Sequence, residues 1–426
     1  MCPDPSKRTE RRVWRSAIRG NVLMMGLVSF FNDAASEMIY PLLPIFFSGL
    51  VPPEMVAVYV GSMEGIAESA ASLLKIVSGR LSDYLGKRKM LAVVGYTIST
   101  VCRPLIAVAT AGWHVVALRF ADRVGKGVRT SPRDALISES VAPEVRGLAF
   151  GFHRAMDHFG AVVGPLMAIA ILYRFLGYGL WRGTTSSATP DEMHALRWLF
   201  AIALIPGLVA MIPLIGKVRD LPPRKVEDKR QEDLSPKVRM PRKFYYFVGI
   251  VTLFALGNSS DLFLVLYGKT KFQLGLLQVI ALWVALHVSK IVFSLPGGAL
   301  SDKLGRRPVI IAGWSVYALV YLGVGVVSQE WVFWLLVITY GFYYGMTEGA
   351  EKALVADFVS SEYRGTAYGI YHGAIGLAAL PASLVFGVFW FMIGPQLAFG
   401  IGAGLAALAA VLLTLLLSTT KKQQES

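Results

Sequence analysis

Apolar runs about as long as a bilayer is thick recur along the chain. A helix rising about 1.5 Å per residue needs roughly 20 largely apolar residues to cross about 30 Å of hydrocarbon. Runs of that size fall near 21–49, 56–79, 89–110, 113–131, 146–175, 196–216, 244–267, 274–297, 308–328, 331–353, 365–393 and 395–418. The pattern predicts twelve membrane-spanning helices. A chain inside lipid satisfies its backbone hydrogen bonds within itself, and the alternating pattern of a membrane barrel is missing.

The polar stretches between the runs set an orientation, because short loops rich in Lys and Arg stay on the cytoplasmic side. Arg8, Arg11, Arg12, Arg15 and Arg19 precede the first run; Lys87, Arg88 and Lys89 follow the second; Lys303, Arg306 and Arg307 follow the eighth; Lys421 and Lys422 end the chain. All fall on one side. The opposite loops, such as Val51 to Glu54 and Gly112 to His114, carry almost no basic residues, with Lys269 and Lys271 as exceptions. Both termini are therefore expected in the cytoplasm. The first run is too long for the core of a cleaved signal peptide and reads as a retained span.

Lys217 to Lys243 breaks the apolar pattern with mixed charge and four prolines, and reads as a solvated linker. A shorter polar stretch, Arg182 to Glu192, joins the fifth and sixth runs on the outer face. The expected organisation is a basic N-terminus at 1–20, a six-helix bundle at 21–216, a cytoplasmic linker at 217–243, a second six-helix bundle at 244–418 and a tail at 419–426.

The two bundles look like copies of each other. The segment from Gly79 to Arg88, reading GRLSDYLGKR, is matched by Gly298 to Arg307, reading GALSDKLGRR. At nearly the same separation, EVRGLAFG from Glu144 is matched by EYRGTAYG from Glu362. Two independent matches at almost one offset indicate a duplicated six-helix unit. Parallel repeats of this kind place a solute path between the halves, near the bilayer midplane.

Composition agrees with a lipid solvent: 54% of residues are apolar and 16% charged, with a mean hydropathy of +0.54. The net charge of +14 does not indicate nucleic-acid binding, since the basic residues are scattered between apolar runs. Only Cys2 and Cys102 are present, so there is no disulfide framework and no metal-type cysteine spacing.

The motif Gly-x-Leu-Ser-Asp-x-x-Gly-Lys/Arg-Arg, present after the second span and again after the eighth, resembles the signature loop of the major facilitator superfamily. The resemblance extends over essentially the whole chain and implies an all-α membrane protein of twelve transmembrane helices in two pseudo-symmetric six-helix bundles. It also implies that Gly79, Asp83, Gly86, Arg88, Gly298, Asp302, Gly305 and Arg306 form gating loops that latch the halves together on the cytoplasmic side. Gly160, Gly164 and Pro165 in the fifth span resemble the motif of the family's antiporters, although its trailing glycine pair is replaced by Ala168 and Ile169. The family often has an Arg in the fourth span followed by Gly-x-Gly; here Arg119 and Arg123 precede Gly125-Lys126-Gly127 with different spacing.

Ionisable residues inside spans are costly unless they are paired or face a wet cavity, which makes them functional candidates. Asp33 and Glu37 share a face of the first span, and Glu64 and Glu68 a face of the second. Two carboxylates so close cannot both ionise cheaply in low dielectric, and together with Asp157 they are the candidates for proton coupling. A cation at the depth of Arg119 and Arg123 needs an anionic partner or an anionic solute, the partners expected being Asp33, Glu64 and Asp157. Arg119, Arg123, His153, Asn258, Asp261, His287, Tyr344 and His372 are the candidates for solute binding. His153 and His158 lie beside Asp157, and Glu348 and Lys352, four apart, are read as able to neutralise each other.

The expected function is secondary active transport by alternating access, with proton-coupled efflux of a small organic compound favoured. Uptake of an organic anion, export of a metal ion or chelate, and a receptor that does not transport are the alternatives. The partners expected are a small solute, protons and the lipid of an inner membrane, around a monomer; no nucleotide motif, resident metal, cofactor or enzymatic residue set is expected.

Overall fold

The computed structural model describes residues 17–177, 188–220, 240–259, 261–272, 274 and 276–422, and the polar connections centred on 182–187 and 221–239 lie outside them. Among the described residues the fold is helical throughout, and twelve spans follow one another up and down. The first six are Gly20–Glu37 with its extension Leu43–Ser48, Pro53–Leu85, Arg88–Leu105, Gly112–Glu139, Arg146–Leu176, and Pro190–Ile202 continued by Leu204–Gly216. The second six are Arg242–Gly257 continued by Leu262–Phe272, Leu276–Leu304, Arg306–Val326, Glu330–Phe358, Arg364–Ile393 and Pro395–Lys422.

Seven of these helices are apolar enough in composition to cross a bilayer on that ground alone. Gly112–Glu139 is not one of them, because it carries Arg119, Asp122, Arg123, Lys126, Arg129, Arg133 and Asp134. The hydropathy pattern predicts its end near residue 131. The helix instead runs two turns further, through Pro132, with Ser131, Asp134 and Ser138 fully buried. Polar residues there are turned into the protein, which a count of apolar residues cannot detect. Lipid-facing surfaces carry the opposite chemistry, with Ile212, Leu319, Val326 and Leu397 all exposed.

Three spans are broken where one run was expected, the sixth only at Ala203 between its two helices. After Glu37 the first gives way to a short turn at Tyr40–Leu42, where Pro41 supplies no backbone donor. The seventh is interrupted after Gly257, and Asn258 and Asp261 sit at the break. Non-helical backbone at membrane depth is tolerated where it is buried in protein or lines a cavity.

Within each half the spans pack on their neighbours: first on fifth and sixth, third on fourth, second on fourth; ninth on twelfth and tenth, eighth on tenth. Between halves the second and fourth spans pack on the eleventh, and the fifth packs on the eighth and tenth. Glycines allow these crossings. A Cβ on Gly298 would collide with the Gly147 backbone, and one on Gly79 with the Gly365 backbone.

Candidate functional site

Each signature loop places its aspartate on the first turn of a helix from the other half. Asp83 accepts from the Gly365 and Thr366 N–H groups at 3.0 and 2.6 Å, and Asp302 from those of Gly147 and Leu148 at 3.0 and 2.8 Å. These N–H groups begin the eleventh and fifth spans and have no partner within their own helix, so a carboxylate there meets both an unfilled donor set and the positive end of a helix dipole. Arg88 braces the first latch, pairing with Asp83 at 3.0 Å and Glu139 at 2.7 Å and donating to the Ser361 carbonyl at 3.0 Å. Arg306 does the same for the second. It pairs with Asp302, reaches Asp357 at 3.3 Å and donates to the Pro143 carbonyl at 2.6 Å, while Arg146 holds Asp357 at 2.7 Å. Gly86 and Gly305 turn the chain into the next span with φ of +62° and +95°, which favours glycine.

One to two turns deeper lies a second contact between halves that the sequence did not reveal. Asp134, fully buried, receives Lys352 of the tenth span at 2.8 Å and His372 of the eleventh at 2.7 Å, and its own neighbour Arg133 at 2.9 Å. His372 therefore lies in this charge cluster. Deeper again, Arg154 spans Asp157 at 2.9 Å and Glu348 at 3.4 Å, with His158 at 3.5 Å from Glu348. The expected pairing of Glu348 with Lys352 is thus replaced by two pairings that cross between halves. His153 is fully buried, 3.6 Å from Asp157.

In the first half, Arg119 pairs with Asp122 at 2.9 Å rather than with Asp33 or Asp157, and the expected pairing with Glu64 lies outside the described residues. Arg103 holds the other oxygen of Asp122 at 3.1 Å and donates to the carbonyl and side-chain oxygens of Asn32 at 2.8 and 3.0 Å. Asn32 donates in turn to Asp33 at 2.8 Å. Asp122 lies three positions after Arg119, a spacing legible in the chain, whereas Arg103 comes from the third span. Gly160 and Gly164 pack against the turn that carries Asp33 and Glu37, where any side chain would meet the Asp33 and Glu37 Cβ atoms, and Pro165 lies within the same helix. The side chains of Glu64 and Glu68 lie outside the described residues. Arg123 is half-buried, one position beyond Asp122.

In the second half, Asp261 at the helix break accepts from Lys290 and from the Tyr340 hydroxyl, each at 2.8 Å. The Lys290 ammonium stands 3.9 Å from the centre of the Tyr344 ring, and Asn258 hydrogen-bonds Tyr343 and Tyr340 at 3.4 and 3.3 Å. His287 packs on Trp283 and faces His158 across the halves, ring centres 5.3 Å apart.

Side chains of Glu348, Arg154, Asp261 and His158 remain 24, 20, 16 and 12% exposed although they sit in the middle of their spans. Charged groups exposed at that depth imply a wet cleft between the halves. Among the described residues the hydrogen bonds, ion pairs and ring contacts seen between halves all lie between this level and the loop end. The loop end of the cleft is shut.

The family model described as Major Facilitator Superfamily matches residues 25–288 and 270–426. An MFS-type transporter from Methanocaldococcus jannaschii, itself uncharacterized, is 32% identical over 92% of this chain and 94% of its own length. A class G tetracycline resistance protein from Vibrio anguillarum is 23% identical over 87% of this chain and 90% of its own. Among solved structures, the human organic anion transporter MFSD10 superposes with a TM-score of 0.72 at 17% identity, covering 92% of this chain and 98% of its own.

Proposed function

The chain belongs to the Major Facilitator Superfamily and is a multi-pass membrane transporter rather than an enzyme, and on that premise we propose that it exports a small organic compound by proton-coupled alternating access. The observation that carries this reading is the cleft, charged at mid-depth and shut at the loop end. A carrier needs two arrangements that differ in their affinity for solute and for the coupling ion, and latches that break on one side supply the bistable element. The basic loops assign the shut end to the cytoplasm, with both termini there, in an inner membrane.

Export is favoured over uptake by the likeness to a tetracycline resistance protein and by glycines of the antiporter-like motif seated against Asp33 and Glu37. Asp33, Glu37, Glu64, Glu68 and Asp157 are the proposed proton-handling groups. Arg123, Asn258, Asp261, His287 and Tyr344 are proposed to face the solute, and Arg119, His153 and His372 to hold the walls of the site. The protein acts as a monomer, each chain holding one cleft.

A panel of organic solutes in proteoliposomes, with and without an imposed pH gradient, tests the reading. Gradient-driven movement of at least one solute, abolished by Asp33→Asn, is expected. Solute movement indifferent to the gradient would remove proton coupling, and movement unchanged by Asp33→Asn would remove that residue from it.

A further inference from the structure

Two histidines from opposite halves face each other at mid-depth beside one carboxylate. His158 comes from the fifth span, His287 from the eighth and Glu348 from the tenth. The imidazole rings are 5.3 Å apart, and His158 Nε2 stands 3.5 Å from Glu348. His287 is 9% exposed, yet among the described residues neither of its ring nitrogens has a hydrogen-bond partner. A buried polar group left unsatisfied is uncommon, and a functional role is one reason a protein keeps one. Imidazole is the side chain whose charge changes near neutral pH, and two imidazoles beside one carboxylate suit a proton as their ligand.

We propose that the His158–His287–Glu348 constellation is a binding site for the coupling proton, assembled only while the cytoplasmic side is shut. It rests on the reading of the chain as a proton-coupled carrier, and adds where the proton sits. From the fifth span Arg154 and Asp157 face the cluster; from the eighth comes Lys290, taken by Asp261; from the tenth come Lys352, taken by Asp134 of the fourth span, which also holds Arg133, and Glu351, held by Trp314 and Tyr371. Asp33 of the first span lies behind Asp157, beside Gly160. His153 stands beside Asp157 and His372 on Asp134, and Lys75 of the second span, buried against Gly376 of the eleventh, acts on His372. An imidazole exchanges a proton in the physiological range.

Because its members come from both halves, opening the cytoplasmic side pulls the constellation apart. The proton is then held less tightly and leaves into the cytoplasm, and by reciprocity a bound proton resists that opening.

The test needs no solute. In the full chain with Cys2→Ser and Cys102→Ser, spin labels at Lys87→Cys and Glu362→Cys, both exposed on opposite halves of the loop end, report its width. Acidification from pH 8 to pH 5.5 is expected to enlarge the short-distance population, and His158→Gln with His287→Gln is expected to remove that response. Retention of the full response in the double variant would overturn the proposal while leaving a carboxylate-coupled carrier intact. A distance distribution independent of pH in the parent protein would overturn the proposal, and gradient-driven transport in the same preparation would show that the carrier reading survives it. Glu348→Gln, which keeps the shape of the carboxylate and leaves Arg154 its bond to Asp157, is expected to weaken the response with a smaller loss of thermal stability than Asp134→Asn, separating proton binding from packing.

Discussion

Asp134 and Lys352 meet at 2.8 Å across the two halves, and they occupy corresponding places in the two repeats, 218 residues apart like Glu144 and Glu362. Duplication placed the two positions symmetrically, and opposite charges at them turn the symmetry axis into a bond. His372 and Arg133 share the same carboxylate, so Asp134 carries the charge balance of the layer below the cleft.

Asp134→Asn leaves Lys352 and Arg133 buried without their counter-charge. Removing one partner of a buried ion pair costs about 3–5 kcal/mol. A lowered melting temperature in detergent is expected, together with a wider loop end by spin-label distance. The exchanged pair Asp134→Lys with Lys352→Asp should recover part of the shut population; if it recovers none, the contact is packing and not a lock.

Asparagine at either latch position keeps one acceptor oxygen but loses the charge and leaves one of the two backbone N–H groups facing a donor; a hydrogen bond to a charged acceptor is worth about 1.5–3 kcal/mol. Asp83→Asn and Asp302→Asn are each expected to open the loop end and slow transport, and the double variant to do so more than the sum of the two. Cross-linking between a cysteine in the second span and one in the eleventh measures it. Equal cross-linking yields in all four proteins would show that the latches carry no conformational bias.

Gly298→Ala should act like a wedge. The added methyl meets the Gly147 backbone, which cannot move aside as a flexible side chain can. Faster hydrogen exchange at Gly147 and Leu148 is expected, with membrane insertion unchanged. Unaltered exchange there would place the crossing further apart than it is described.

Arg103→Lys tests the network beneath Asp33. Arg103 reaches Asp122 and both oxygens of Asn32 at once, and an ammonium cannot reproduce that planar fork. A lower melting temperature and an altered solute Km are expected from binding and stability measurements. A variant equal to the parent in both would make the network ornamental.

Much was legible in the chain because it depends on contiguous residues. Span count follows from the length of apolar runs, the duplication from two matched motifs, and the candidate gating residues from the motif itself. The intramembrane positions of Asp33, Arg123, Asp261 and His287 were also readable, since an ionisable residue stands out in an apolar run. Partnerships were not. Asp122 was missed as the counter-ion of Arg119, and Asp134 was missed entirely because it lies where the hydropathy pattern had already ended the fourth span.

The sequence by itself determined a duplicated twelve-helix membrane protein and the places along it where charge enters the bilayer, because hydropathy and repetition act locally along a chain. Only the tertiary structure decided which charges meet. Asp83 lies more than 280 residues from the N–H groups it binds, and Asp134 is 238 residues from His372, so each bond is set by how the two halves cross. Helix crossing is in turn a matter of glycine contacts and packed faces, which acquire meaning only when the whole chain is folded.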